Sequence, residues 1–393
     1  MSVRNLRKYV SLIVFKDVLY ALKCHKRGLQ MRIIIVTGLY RSGTTFLQKI
    51  LDAHHKITII NQGVFDFFKL LDNEYHYINS LNKSLAVGVD LKFQEQKYKR
   101  IFEDIYLSEE KIETLLLEIE KHIDSDGLKN NFKTLPTKSL IIALKAHLTP
   151  GKAKHVFEQI MLAIKDYRED GSTTILGFKE LNLEQFSEAL FYSFGDKIRI
   201  VQIVRDPRAI LSSRNYGSYL REGGAKNKHP LLFILKMWKI QLLYRDYLIE
   251  GYNNFYSLFY ENLVSDTERE VELLCNFIGV EYDKNMIDAN NFKNEEGGKW
   301  KPNTSFKTED RISRRFLDQW KDKVPNDALG AFEFLCHREL ENNNYTVCFD
   351  KKDQLKYFSS YSENLDNIIN WLKIDSYNFD FQKNTRDRQV KNK

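Results

Sequence analysis

Residues 33–51 read IIIVTGLYRSGTTFLQKIL. Ile33, Ile34, Ile35 and Val36 form an unbroken β-branched run, the pattern of a strand buried on both faces. A turn follows, Gly38-Leu39-Tyr40-Arg41-Ser42-Gly43-Thr44-Thr45, and then Phe46, Leu47, Ile50 and Leu51 keep helical spacing. Strand, glycine-bearing turn and helix together aim backbone N–H groups and a helix N-terminus at one point, which suits phosphate-like anions. The glycine spacing is that of a P-loop, G-x-x-x-x-G-K-[ST]. The lysine is absent, however: position 44 is Thr, and the cation is Arg41, two residues before the second glycine. A nucleoside triphosphatase uses that lysine on the β/γ-phosphates and the next hydroxyl on magnesium. This loop keeps the hydroxyls of Ser42, Thr44 and Thr45 without the lysine.

Three further segments extend the pattern. IRIVQIVRDPRAILSS (198–213) is an apolar strand ending at Arg205, with Pro207 where a first helical turn tolerates it. Arg205 and Ser213 are eight residues apart. A guanidinium, a hydroxyl and a helix N-terminus so arranged would hold a phosphate, and Arg208 is a second cation in reach. Tyr260-Glu261-Asn262-Leu263 precedes a helix ending at Phe277-Ile278-Gly279-Val280. Trp300-Lys301-Pro302-Asn303-Thr304-Ser305-Phe306 is followed by Phe316-Leu317-Asp318-Gln319-Trp320-Lys321 and a helix closing near Asn344-Tyr345.

In this order the segments resemble sulfotransferases that use 3′-phosphoadenosine 5′-phosphosulfate (PAPS), most of all the tyrosylprotein and carbohydrate branch, over about residues 33–345. The resemblance implies an α/β fold, a P-loop-like parallel sheet flanked by helices, and PAPS as co-substrate with no metal. Arg41, Ser42, Gly43, Thr44 and Thr45 would form the 5′-phosphosulfate loop, and Arg205 and Ser213 the clamp on the 3′-phosphate. Tyr260 would lie near the nucleotide, with Asn303 and Ser305 in the loop that covers it. Lys179, in Gly-Phe-Lys-Glu, matches the family lysine that stabilises the transition state, although Glu-Leu follows it here. Where the tyrosylprotein branch carries a glutamate after the second strand, this chain has Asn61 and Gln62, which cannot take a proton. Asp66 is the nearest carboxylate and the first candidate base, with His54 and His55 as alternatives. The catalytic candidates are therefore Lys179, Asp66 and Arg41. The best expectation for the acceptor is a saccharide hydroxyl on a glycan or glycolipid. An atypical P-loop kinase and a non-catalytic PAP-binding protein remain as other readings.

The 393 residues are 43% hydrophobic and 13% aromatic, enough for a large core and too apolar for a disordered chain. The net charge of +7 comes from dispersed Lys and Arg, so no nucleic-acid stripe is expected. Four scattered cysteines and nine histidines show no C-x-x-C or H-E-x-x-H spacing, which argues against a zinc site or a disulfide framework. No stretch has the ~18 apolar residues of a membrane span. YVSLIVFKDVLYAL (9–22), interrupted by Lys16 and Asp17, reads as an amphipathic helix with basic flanks. It would serve as a packing or lid helix, or make peripheral contact with an anionic membrane. A cytoplasmic, bacterial enzyme is the expectation.

Residues 1–30 are read as a helical leader and 31–345 as the α/β domain. A helical insertion over about 67–170 would shape the acceptor pocket, and 346–393 form an extension with a fraying end. Within the domain, strands are expected at 32–37, 57–60, 174–178, 198–204 and 255–259, with helices at 44–54 and 231–247. Parallel pairing would bring Arg41, Lys179 and Arg205 together at the carboxyl edge.

Overall fold

The computed structural model describes residues 31–78, 98–127, 136–168, 172–212, 231–300, 314 and 317–360. Strand β1 (Arg32–Gly38) is the centre of a five-stranded parallel sheet. Its partners are β2 (Ile57–Asn61), β5 (Ile175–Lys179), β6 (Ile198–Val204) and β7 (Phe255–Phe259), in the order β2-β5-β1-β6-β7. The run Ile33–Val36 is apolar throughout because both faces are covered. Ile33 and Ile35 enter one core cluster, Ile34 and Val36 the opposite one.

Helix α1 (Thr44–Asp52) follows the loop after β1. The stretch read as a helical insertion does hold helices: α2 (Phe65–Ile78), α3 (Ile101–Asp104), α4 (Glu109–Gly127), α5 (Lys138–His147) and α6 (Ala153–Arg168). It also holds a short antiparallel pair, β3 (Tyr106–Leu107) with β4 (Gly151–Lys152), which two residues per strand cannot signal by periodicity. These helices cover one sheet face through Phe67, Phe68, Phe102 and Phe157, of which Phe68 and Phe157 meet Phe178 of β5, and Phe186 and Phe194 from beyond β5 join the same core. Each buried Phe contributes roughly 1.5–3 kcal/mol.

Beyond β5 lie α7 (Ser187–Phe194), α8 (Pro207–Leu211) and α9 (Leu231–Gly251), which runs four residues past the expected end. After β7 come α10 (Tyr260–Ser265) and α11 (Thr267–Ile278). Helices α12 (Asn326–Asn342) and α13 (Lys351–Ser360) close the described chain. α9 and α12 share a second core with Trp238, Leu329 and Phe332. The tail thus packs on the domain as far as Ser360. The leader 1–30 and residues 361–393 lie outside the described residues, so the reading of a basic amphipathic leader does as well. Among the described residues, no helix is long and apolar enough to cross a membrane.

Strand register sets the site. Val36 of β1 pairs with Lys179 of β5, and Asn61 of β2 pairs with the same residue. Lys179 is therefore the last residue of its strand, one position later than the sequence pattern suggested. The carboxyl ends of all five strands point to one edge, where residues 39–43, 62–64, 180, 205 and 260 follow.

Candidate active site

The loop after β1 is held by its own backbone. The Ser42 amide donates to the Leu39 carbonyl (3.1 Å), and the Leu47 amide to the Gly43 carbonyl (3.0 Å). Arg41 and Gly43 both take left-handed φ, 64° and 96°. At Gly43 a side chain is doubly excluded, because a Cβ there would lie 2.4 Å from the Tyr260 ring. Gly43 is the residue before α1, and no side chain caps that helix. The amides of Thr44, Thr45 and Phe46 are those a helix leaves without an intrahelical acceptor, so an anion is the natural partner. Ser42 Oγ is buried with no hydrogen-bond partner among the described residues.

Arg205 arrives from the end of β6. Its Nη1 donates to the Arg41 carbonyl at 2.9 Å, and its guanidinium lies 4.2 Å from the centroid of the Tyr260 ring. Stacking on Tyr260 fixes the plane of the fork, while Nε is buried without a hydrogen-bond partner among the described residues. Of the three residues expected to converge, Arg41 and Arg205 thus touch, with Tyr260 against the Arg205 fork. Glu261, adjacent to Tyr260, accepts from the Asp206 amide (2.9 Å) and from the Tyr345 hydroxyl (3.2 Å). Burial pushes the Glu261 carboxyl above its ordinary pKa, and the Asp206 amide works against that shift. Four motifs distant in sequence therefore meet through two residues.

Arg208 is a correction. Read as a second free cation, it is instead 1% exposed. It forks onto Asp206 (2.8 Å), pairs with Glu333 (2.6 Å), donates to the Thr346 carbonyl and lies over Trp320. Burial alone would lower its pKa, but Asp206 and Glu333 outweigh that and hold it above the ordinary value. It fastens α8 to α12 and cannot reach a ligand. Ser213, Asn303 and Ser305 lie outside the described residues.

Lys179 reaches the expected edge, but its side chain is almost wholly buried. Burial lowers its pKa, Glu180 and Glu295 counter that shift, and Lys49 adds to it. Glu180 is its buried neighbour, with a pKa that burial pushes up. One Glu180 oxygen accepts the amides of Val64 (3.0 Å) and Phe65 (2.9 Å), which locks the start of α2 onto β5. Lys49, on α1, pairs with Glu295 at 3.4 Å. Arg168 bridges Glu295 and Asp52. That buried network ties α1 to the hairpin at 293–299.

The base candidates separate. His54 and His55 precede β2, at the opposite edge of the sheet from the loop. Both ring nitrogens of His54 are engaged, Nδ1 by the Lys56 amide and Nε2 at the Glu281 carbonyl, and burial lowers its pKa. His55 stacks on His54 and pairs with Asp283. Neither can meet an acceptor at the loop, so the alternative of a His54 or His55 base is withdrawn. Asp66 lies in the first turn of α2, at the carboxyl edge. Its Oδ2 is 3.3 Å from Nδ1 of His122, a residue of α4. Sequence reading missed His122 and Glu180. Glu180 adjoins Lys179 and could have been flagged, but nothing local marks His122, 56 positions from its partner.

A family model described as "Sulfotransferase family" matches residues 33–284. No curated protein matches the chain. Among solved structures, the chain is similar to a sulfotransferase domain from the curacin biosynthetic pathway. The two share 16% identity at a TM-score of 0.45, over 82% of this chain and 100% of that one. It is also similar to mouse sulfotransferase SULT7A1 complexed with PAP, at 12% identity, TM-score 0.38, and 80% and 86% coverage. A sulfotransferase from Alicyclobacillus acidocaldarius gives 13% identity, TM-score 0.34, and 79% and 97% coverage.

Proposed function

From a chain that belongs to the sulfotransferase family, we propose an enzyme that moves the sulfuryl group of PAPS to a saccharide hydroxyl of a glycan or glycolipid. The observation that carries the donor is the Arg41–Gly43 loop closed by Arg205. It offers helix amides without an intrahelical acceptor, an oriented guanidinium, and two buried polar atoms, Ser42 Oγ and Arg205 Nε, with no hydrogen-bond partner among the described residues. These residues fit a nucleotide bearing a sulfated phosphate. The glycan rests on the likeness of Arg-Ser-Gly-Thr-Thr to the tyrosylprotein and carbohydrate branch, whose carbohydrate members act on saccharide hydroxyls.

The residues act through charge. As the bond between sulfur and the bridging oxygen lengthens, negative charge grows on that oxygen. Cations and N–H donors fixed in advance, away from water, stabilise it. The loop amides and Arg41 face the 5′ end and Arg205 the 3′-phosphate, while Lys179, almost wholly buried beside the loop, supplies charge for the leaving oxygen. The sulfuryl group carries less charge than a phosphoryl group, so a loop without the magnesium-binding arrangement suffices.

Calorimetry in EDTA should show PAP binding, and ATP with magnesium should not compete. A strict magnesium requirement would return the loop to the kinase reading. PAPS turnover separates an enzyme from a mere PAP binder. Loss of a sulfated species from the surface glycans of cells lacking this chain, seen by mass spectrometry, would identify the acceptor.

Lys179→Ala should lower kcat by about 10²-fold or more while PAP affinity changes little, as expected for an interaction made in the transition state. Parallel losses in both would assign Lys179 to ground-state binding.

A further inference from the structure

We propose that Glu180 is a positioning residue for the transfer: its buried carboxylate keeps the neighbouring Lys179 ammonium charged inside the site. This rests on the sulfuryl-transfer reading above, in which Lys179 supplies charge for the leaving oxygen. The backbone pins the two residues between strands. The Glu180 amide donates to the Val36 carbonyl of β1 (3.0 Å), and the Lys179 carbonyl accepts from the Gln62 amide after β2 (2.9 Å). Glu180 is fully buried and Lys179 only 4% exposed. An ammonium removed from water to that degree gives up its proton unless a carboxylate is held near it.

Charge matching assigns that carboxylate. Lys49 pairs with Glu295, and Arg168 bridges Glu295 and Asp52, so these two cations are already met by two carboxylates. Glu180 is the carboxylate left for Lys179. Its own place is fixed by the start of α2. Oε1 accepts the Val64 and Phe65 amides, which a helix start leaves without an intrahelical acceptor, and the helix dipole favours an anion there. Oε2 is buried with no hydrogen-bond partner among the described residues. The carboxylate therefore acts on Lys179 through the poorly screening interior.

The charged groups that act on Lys179 are Glu180 after β5, Lys49 of α1 and Glu295 of the 293–299 hairpin. Those that act on Glu180 are Lys179, His122 of α4 and Asp66 of α2. Burial drives Lys179 toward its neutral form; Glu180 is the main opposing influence, Lys49 adds to the shift and Glu295 counters it. Burial likewise pushes the Glu180 carboxyl up, and Lys179 and the Val64 amide oppose that. Each member thus holds the other in its charged form. Without the carboxylate, Lys179 releases its proton to solvent at a lower pH, and the leaving oxygen then meets a neutral amine.

The test uses the full chain. PAP release from PAPS is followed across neutral and alkaline pH, with water and with methyl β-D-glucopyranoside as probe acceptors. Wild-type kcat should fall along an alkaline limb as Lys179 loses its proton. In Glu180→Gln the amide oxygen can still accept the Val64 and Phe65 amides, but the charge is gone. The limb should move to lower pH by about 1 unit or more, so kcat above both limbs drops about tenfold, and the loss should shrink as pH falls. Glu180→Asp keeps the charge but is one methylene short of the α2 amides. It should lower Tm while holding the limb near its wild-type position. ¹³Cε spectra of Lys179, assigned by the signal missing in Lys179→Ala, follow the same titration without turnover. An unmoved limb or an unmoved ¹³C titration in Glu180→Gln, or an equal shift in Glu180→Asp, overturns the inference and leaves Glu180 as a fastener of α2 alone. A wild-type chain that binds PAP but never consumes PAPS overturns the sulfuryl-transfer reading instead, and the ¹³C titration still decides whether Glu180 holds the Lys179 charge.

Discussion

Arg208→Ala is expected to cost about 3–5 kcal/mol of folding stability, because it strands two carboxylates that the fold has removed from water. Asp206 and Glu333 are both buried, and the arginine is their shared partner. Glu333 also accepts the Cys348 and Phe349 amides, so the loss loosens the segment after α12. The Trp320 ring loses the guanidinium it covers. Arg208→Lys should recover only part of the loss, since an ammonium cannot fork onto Asp206 while reaching Glu333. Denaturant midpoints at unchanged slope measure the effect. A cost below about 1 kcal/mol, the range of exposed ion pairs, would mean that water reaches this cluster.

Arg205→Ala should weaken PAP by about 2–4 kcal/mol, a loss of roughly 30-fold to 10³-fold. Adenosine 5′-phosphosulfate, which lacks the 3′-phosphate, should lose far less. Two effects combine. The guanidinium that meets the phosphate is gone, and so is the tie from Nη1 to the Arg41 carbonyl that fixes the neighbouring loop. The first acts only on ligands with a 3′-phosphate, the second on both. Calorimetry with the two ligands separates them. Equal losses would show that Arg205 shapes the loop without reading the phosphate. Folding should be less affected than in Arg208→Ala, since among the described residues Arg205 forms no ion pair with a buried carboxylate, in contrast to Arg208.

These two arginines, three residues apart in Arg-Asp-Pro-Arg, show where sequence reading stops. Both follow the same core strand, β6, and both looked available to an anion. Asp206 distinguishes them: its side chain caps α8 through the Arg208 amide and then captures the Arg208 fork. The other half of the trap is Glu333, 125 residues away. Lys179 shows the same limit, since its strand and edge were legible while its burial against Glu180, Lys49 and Glu295 was not.

What the sequence determined by itself was local. The β-branched run Ile33–Val36, closed by a glycine-bearing turn, reads as a strand covered on both faces. Hence the parallel sheet, the glycine-bearing loop and the arrival of Arg41, Lys179 and Arg205 at one sheet edge could be read from motif and spacing. Tertiary structure alone decided which polar groups are buried together. The pairing of Asp66 with His122 comes from packing α4 on α2, and the removal of His54 and His55 from the site comes from their position before β2. Such pairings join residues with no common period or spacing, because burial forces each charged group to find a partner wherever the fold brings one within reach.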